Sequence, residues 1–94
     1  MWARLARFEG DPADLDDRVE RLQAMLDSGG LPPELADSKL LVLVDREGGG
    51  MLGVTLFDSE EAMLKADAVM NAGAGHSGHR TAVEFYEVPI RTGL

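Results

Sequence analysis

The feature that most constrains this chain is a pair of short segments with aliphatic side chains on both sides. Residues 40–44 read LLVLV, residues 51–57 read MLGVTLF, and DREGGG lies between them. Two β-branched and aliphatic segments around a glycine-rich turn predict a β-hairpin. Successive side chains of a strand point to opposite faces, so both faces of this hairpin are apolar. A sheet that contains it must therefore be covered on both faces.

A strand and a helix are predicted before the hairpin. Residues 2–8 are apolar with arginines interleaved, and a glycine, an aspartate and a proline follow, which predicts a first strand. Asp11 is a favourable helix cap, with Pro12 at the first helical position. Apolar residues then recur at spacings of four, three and four until Gly29, while charged residues, Arg18 among them, occupy the opposite face. The apolar stripe consists of Leu15, Val19, Leu22 and Leu26.

A second helix and a last strand are predicted after the hairpin. Asp58 or Ser59 caps this helix, and Asp58 and Glu61 have the spacing of a capping box. Residues 81–90 alternate loosely between apolar and polar and predict a fourth strand. Residues 31–38, LPPELADS, are interpreted as a connecting loop with one helical turn, because the two prolines disfavour a core element.

The predicted order is strand, helix, strand, strand, helix, strand, in a single domain of residues 1–94. This order is that of the α+β ferredoxin-like fold, βαββαβ, with a four-stranded antiparallel sheet and two helices on one face. Two helices cover only one face of a sheet whose faces are both apolar. We therefore predict that a second copy of the chain covers the other face and forms a homodimeric α+β barrel.

Charge and composition exclude several classes of partner. The 94 residues include 9 Lys+Arg and 17 Asp+Glu, which gives a net charge of −8 at pH 7. This charge repels phosphate backbones and anionic lipids, and the sequence contains no basic cluster, so we predict neither a nucleic-acid nor a membrane partner. The longest aliphatic run is far shorter than the roughly 20 residues of a membrane span. The chain has no cysteine and no signal-peptide pattern, which favours a cytoplasmic location.

Three segments resemble a known family. They are the opening WARLARFEG, the hairpin LVDREGGGMLGVTLF running into DSEEAM, and the closing EFYEV. In order and spacing they resemble small antibiotic biosynthesis monooxygenase-like domains of the dimeric α+β barrel superfamily, over most of the chain. The resemblance implies a homodimer with a ligand cleft between the sheet and the helices. In active members it implies cofactor-free oxidation by molecular oxygen or the breakdown of bound haem.

The chain departs from the haem-degrading members of that family, which carry an Asn on the first strand, a Trp on the second helix and a His after it. Here the first strand offers Arg4 and Arg7, the second helix has no aromatic residue, and the single tryptophan is Trp2. Only His76 loosely fits the histidine position. We therefore predict a small-molecule-binding protein without a cofactor, acting as a cofactor-independent monooxygenase on an apolar aromatic or polyketide-like substrate. The alternative is a non-catalytic ligand-sensing or structural homodimer.

Seven residues are candidates for the wall of the ligand cleft, and none is assigned as a catalytic residue. The arginines of the first strand could clamp an anion or pair with Glu84 and Glu87 of the last strand. The two histidines form an H-x-x-H pair, but no metal site is predicted from two ligands on a glycine-rich segment. The aromatic side chains could line the cleft or pack in the core. The candidates are Trp2, Arg4, Arg7, Phe57, His76, His79 and Tyr86.

Two further sequence patterns bear on possible binding sites. The glycines at 48–50 join two strands, whereas a phosphate cradle joins a strand to a helix, so no phosphate site is predicted there. Four methionines either shape an adaptable apolar cavity or fill the core, and the sequence leaves both readings open. They are Met25, Met51, Met63 and Met70.

Overall fold

The structure is a computed structural model that describes residues 1–72 and 79–93. Six main elements follow the predicted order, and the α+β ferredoxin-like fold is confirmed. They are β1 (Trp2–Glu9), α1 (Leu15–Asp27), β2 (Lys39–Val44), β3 (Met51–Phe57), α2 (Glu60–Ala72) and β4 (His79–Glu87). Two short 3₁₀ turns, Pro12–Asp14 and Pro33–Leu35, precede α1 and β2.

The four strands form one antiparallel sheet in the order β2-β3-β1-β4. Both helices lie over the same side of it, which we call the helix face, and the other side is the open face. The strand register and the alternation of side chains assign each residue to a face. The helix face carries Arg4, Ala6, Phe8, Leu40, Val42, Met51, Gly53 and Thr55, and the open face carries Leu5, Arg7, Leu41, Leu43, Leu52, Val54, Glu84 and Tyr86.

Both faces of the hairpin are aliphatic, as predicted. Leu40 and Val42 are half-buried on the helix face, whereas Leu41 and Leu43 of the same strand are 44% and 51% exposed on the open face. Exposure of such a row of aliphatic side chains to water is unfavourable, and burial against another surface would stabilise the protein. The covering of the open face by a second copy of the chain stays a prediction.

A β-bulge in β4 changes which face the start of that strand presents. Arg7 pairs with Ala82, but Phe8 pairs with Arg80, so the register shifts by one residue at Thr81. Without this shift, alternation would place Arg80 on the open face; with it, Arg80 lies on the helix face beside Phe8. The bulge therefore determines where a positive charge of β4 points.

The main core lies under the first turns of α2. Its buried residues are Leu35, Phe57, Met63 and Ala66, with Trp2, Ala62 and Met70 packed against them. The contribution of Leu35 corrects the interpretation of residues 31–38 as a connection only. The 3₁₀ turn at Pro33–Leu35, closed by a hydrogen bond from the Leu35 amide to the Pro32 carbonyl oxygen (2.9 Å), points the leucine inward, where it is 4% exposed.

The start of α1 differs from the prediction in two ways. Asp11 caps the 3₁₀ turn, accepting a hydrogen bond from the Ala13 amide at 2.9 Å, and the α-helix itself begins at Leu15. Arg18, predicted on the exposed face, is only 3% exposed, and its Nη1 donates to the carbonyl oxygen of Gly49 at 3.1 Å. Periodicity placed Arg18 in solvent because it carries no information about the hairpin turn that lies against the helix.

The beginning of α2 and the bounds of β4 also differ from the prediction. Ser59, one of the two predicted caps, accepts a hydrogen bond from the Ala62 amide at 3.1 Å, so the capping box from Asp58 is wrong. β4 spans His79–Glu87 instead of residues 81–90. It begins earlier because Arg80 and His79 still pair with β1 beyond the bulge, and it ends before Pro89, which has no amide hydrogen for the ladder. Within the described residues, neither 13-residue helix has the length and hydropathy of a membrane-spanning segment.

Candidate functional site

A cavity of about 300 Å³ lies between the helix face of the sheet and the two helices. The sheet contributes its floor, the helices contribute its sides, and the segment before β2 contributes its rim. The floor is formed by Ala6, Phe8, Val42 and Gly53, the sides by Leu22, Met25, Val69 and Met70, and the rim by Leu31, Pro32 and Leu35. The cavity occupies the part of the helix–sheet interface that the Phe57 and Met63 core leaves unfilled.

Two small residues at the centre of the sheet account for the empty space. Ala6 and Gly53 are direct partners in the β1–β3 register, and Gly53 also pairs with Val42 of β2. A Cβ atom added at Gly53 would have its nearest neighbour, the carbonyl oxygen of Ala6, at 4.0 Å. The backbone of β3 therefore has room for a side chain at this position, and the sequence places none there.

The sequence left open whether the methionines shape a cavity or fill the core, and the structure shows both roles. Met25, Met51 and Met70 line the cavity, whereas Met63 is fully buried in the core under α2. Methionine side chains are flexible and polarizable, so they can adjust the shape of an apolar wall. The rim residues from 31–35 were not predicted, because a proline-rich segment gives no periodic signal of burial.

Arg4 is the most buried charged group of the cavity wall. Its side chain is 5% exposed, and its Nε donates to Oδ1 of Asp67 in α2 at 2.8 Å. Its Nη2 also reaches Oδ1 of Asn71, one helical turn further along, at 3.5 Å. The prediction of a glutamate partner on β4 is wrong for Arg4: Glu84 lies on the open face, and Glu87, although on the helix face, is two residues past the β4 position that pairs with Arg4, opposite Trp2, while the ion pair of Arg4 is with Asp67. A carboxylate on α2 compensates its buried charge instead.

Arg80 is the second positive charge of the cavity wall, and it was not among the residues predicted to line the cleft. The bulge brings it to the helix face, where its Nη1 donates to Oδ1 of Asn71 at 2.7 Å. Asn71 in turn donates from Nδ2 to Oδ2 of Asp67 at 3.1 Å. The two arginines thus converge on one amide oxygen at the C-terminal end of α2. The four-residue spacing of Asp67 and Asn71 is the one sequence signal that could have indicated a shared helix face.

Arg7 and Tyr86, both candidates for the cleft, lie on the open face with Glu84. Arg7 Nε and the Tyr86 hydroxyl, the latter at 2.6 Å, each donate to the Glu84 carboxylate, so the predicted arginine–glutamate pair is confirmed for Arg7. The hydrogen bonds from Tyr86 and Arg7 lower the pKa of Glu84. The hydrogen bond to Glu84 raises the pKa of Tyr86, and the same carboxylate raises the pKa of Arg7.

The remaining candidates lie elsewhere. Trp2 and Phe57 are paired in the β1–β3 register and pack in the core under α2. His79 is exposed at the start of β4, opposite Glu9, and His76 lies outside the described residues. In residues 1–72 and 79–93, no cluster of three or more histidine or carboxylate side chains is arranged to hold a metal ion.

Comparison with known proteins identifies the fold. No protein-family model matches the sequence, and no match was found among curated proteins. A solved structure of a MhuD point mutant, with two manganese protoporphyrin IX molecules bound per active site, has a TM-score of 0.67 and 14% identity over 99% of each chain. A structure of an antibiotic biosynthesis monooxygenase has a TM-score of 0.54 and 13% identity, over 94% of this chain and 98% of that one. The structure of Rv0793 from Mycobacterium tuberculosis has a TM-score of 0.50 and 21% identity, over 99% of this chain and 98% of that one.

These identities are too low to carry an activity, but the overlap extends along nearly the whole chain. The resemblance predicted from the sequence is confirmed at the level of the fold: the chain has the ferredoxin-like α+β fold of antibiotic biosynthesis monooxygenase-like proteins.

Proposed function

We propose that this chain binds an apolar small molecule in the cavity between the sheet and the helices. The observation that carries the proposal is a cavity of about 300 Å³ with an aliphatic and methionine wall and two arginines at one side. Ligand sites are typically apolar pockets of about 300–1,000 Å³ with a few placed polar groups. A void of this size leaves its wall without contacts, which costs stability unless a ligand restores them.

Among reactions, we propose oxygenation as the one to test first, because one structure with this fold is named an antibiotic biosynthesis monooxygenase. On an apolar aromatic or polyketide-like substrate, a methylene carbon would lose two hydrogen atoms and gain one oxygen atom. The second oxygen atom of O₂ would leave with those hydrogens as water, so O₂ is the oxidant and no cofactor enters the balance. The described wall holds no carboxylate or imidazole, so we assign no residue as the base.

The porphyrin bound by MhuD is a different ligand class, and the described residues do not fit it. Haem iron is usually held by a histidine, a cysteine or a tyrosine. The described part of the cavity wall contains none of these, and His79 and Tyr86 lie away from it.

The alternative is a ligand-sensing or structural protein without turnover. The observation in its favour is that Arg4, the most buried charged group of the wall, is already paired with Asp67. A paired guanidinium supports the packing of α2 on the sheet as readily as it supports chemistry. Ligand binding without oxygen consumption is the result that this alternative predicts.

We further propose that the protein is a homodimer joined through the open face. The support is the row of aliphatic side chains there, Leu41 and Leu43 above all, beside Val54 and Leu52 on β3. A second copy would bury this row by packing sheet against sheet.

A neutral fluorescent probe tests the binding proposal. Phenylnaphthylamine is apolar and uncharged, and we expect saturable binding with a stoichiometry of one per chain. Gly53→Leu should abolish this binding while the melting temperature stays the same or rises, because the new side chain fills the cavity. Ala24→Leu, on the exposed side of α1, is the matched control. Equal binding by wild type and Gly53→Leu, or no binding by wild type, would overturn the proposal.

Oxygen uptake then separates the two candidate functions. An anthrone-like methylene compound that displaces the probe is incubated with wild type and Gly53→Leu, with a chelator present, and dissolved oxygen is followed. Uptake by the wild type alone supports oxygenation, and displacement without uptake supports the non-catalytic alternative.

A further inference from the structure

We propose that the ligand of this cavity carries one carboxylate group, and that Arg80 is the residue that binds it. The inference rests on the proposed binding function and goes beyond it by stating the ligand's charge. The ligand class is an aromatic or alicyclic carboxylic acid, with an apolar body inside the cavity and an acid group at the β4 side.

The bulge in β4 sets the direction of the Arg80 side chain. Regular pairing would turn this side chain to the open face, and the bulge at Thr81 turns it to the cavity. Bulges re-aim side chains in this way, and they are frequent next to binding sites. Arg80 is half-buried beside Phe8, so its guanidinium has lost part of its hydration.

Arg80 has more hydrogen-bond donors than the described residues use. A guanidinium has five N–H donors. In the part of the chain that the structure describes, the side chain of Arg80 makes one hydrogen bond, to the neutral amide oxygen of Asn71, and no ion pair. Several donors therefore remain for a ligand, in the planar fork that matches a carboxylate.

The charges at this side of the cavity do not balance. The charge of Arg4 is compensated by Asp67 at 2.8 Å, and Arg80 has no carboxylate partner among the described residues. Together, Arg4, Asp67 and Arg80 therefore carry one positive charge in excess. This excess occurs in a chain whose net charge is −8. An apolar wall screens charges poorly, so a single anionic group would be bound there more strongly than at the protein surface.

Asn71 has the role of a positioning residue. Its Oδ1 accepts from Arg80 at 2.7 Å and from Arg4 at 3.5 Å, and its Nδ2 donates to Asp67 at 3.1 Å. The amide therefore connects Arg80 to the buried Arg4–Asp67 pair at the same side of the cavity. This link holds the guanidinium in place before a ligand arrives, which reduces the entropy lost on binding.

An isosteric pair of competitors tests the inference. Naphthalene carboxylate and naphthalene carboxamide differ in charge and little in shape, and each is titrated against bound phenylnaphthylamine. We expect the wild type to bind the carboxylate roughly tenfold more tightly than the amide, and this ratio to fall as salt is raised. Arg80→Gln should bring the ratio close to one, and Arg80→Lys should restore part of it. Arg21→Gln removes the same charge from the exposed side of α1 and should leave the ratio unchanged.

The outcomes separate this inference from the proposed function. If phenylnaphthylamine does not bind, the proposed function fails. If it binds but the acid and the amide compete equally, or Arg80→Gln keeps the wild-type ratio, the carboxylate inference is overturned and the binding function stands.

Discussion

Arg4 Nε lies 2.8 Å from Asp67 Oδ1, and the two side chains are 5% and 19% exposed. This ion pair joins the second-from-edge strand β1 to the middle of α2 at the wall of the cavity. Because the arginine is nearly removed from water, its charge is tolerated only while the carboxylate is present. The pair therefore fixes the position of α2 over the sheet and with it the width of the cavity.

Removal of one partner of this pair should be costly. We expect Asp67→Ala to lower the free energy of unfolding by roughly 3 kcal/mol, because it leaves the Arg4 charge buried without compensation. Urea denaturation measures the change. The double variant Arg4→Met with Asp67→Leu should recover most of the loss, since apolar residues can replace a buried pair. Glu61→Ala, which breaks the exposed Glu61–Lys65 pair of the same helix, should cost less than about 1 kcal/mol. Similar losses for Asp67→Ala and Glu61→Ala would show that the buried pair has no special role.

The single tyrosine of the chain provides a titration on the open face. Tyr86 donates to the Glu84 carboxylate, which stabilises the protonated phenol, so its pKa should lie above the ordinary 10.0. The corresponding contribution to stability is full below pH 10.0 and is lost as pH rises through the raised value. Ultraviolet absorbance follows the ionisation, and Glu84→Gln should move the midpoint down toward 10.0. An unchanged midpoint in Glu84→Gln would contradict the hydrogen bond.

Two leucines of similar exposure test the homodimer. Leu43 on the open face is 51% exposed, and Leu64 on α2 is 48% exposed. We expect native mass spectrometry to find dimers for the wild type and for Leu64→Glu, and monomers for Leu43→Glu, because only the open face is proposed to be buried between copies. A monomeric wild type, or a dimer that survives Leu43→Glu and not Leu64→Glu, would place the contact elsewhere or remove it.

Two glycines with positive φ separate backbone strain from steric overlap. Gly29 has φ +75 and open space around it, whereas a Cβ at Gly49, with φ +82, would lie 2.1 Å from the Gly10 carbonyl oxygen. Gly29→Ala should cost about 1–2 kcal/mol of unfolding free energy through the left-handed backbone alone. Gly49→Ala should cost clearly more, because the hairpin turn must also move away from residues 10–12. Equal costs in thermal denaturation would mean that this turn is not packed against residues 10–12.

The fold could be read from the sequence because its signals are local and periodic. The aliphatic alternation of β2 and β3, the turn glycines between them and the stripe of α1 each depend on neighbouring residues. The same local signals placed Leu41 and Leu43 on one face, where they are found. They failed for Arg18, whose burial depends on the Gly49 turn, and for Leu35, which a 3₁₀ turn points into the core.

The site was less predictable for a physical reason. Arg4 was a candidate from its place on the first strand, but its partner Asp67 is 63 residues away along the chain. Arg80 reaches the cavity only through a register shift at Thr81, and a bulge leaves no mark in the spacing of apolar residues. The hollow at Ala6 and Gly53 likewise depends on which strands are neighbours. Such features follow from the tertiary pairing of elements and not from any one segment.

The measurement that tests the central claim most directly is the set of intermolecular nuclear Overhauser effects between phenylnaphthylamine and the protein's methyl groups. The apolar side chains of the cavity and of the open face compete for this probe, and their methyl groups report which one binds it. We predict contacts to Leu22, Val42 and Val69, which line the cavity. Contacts confined to Leu41, Leu43 and Val54 would show that the probe binds the open face of the sheet and would contradict ligand binding in the cavity.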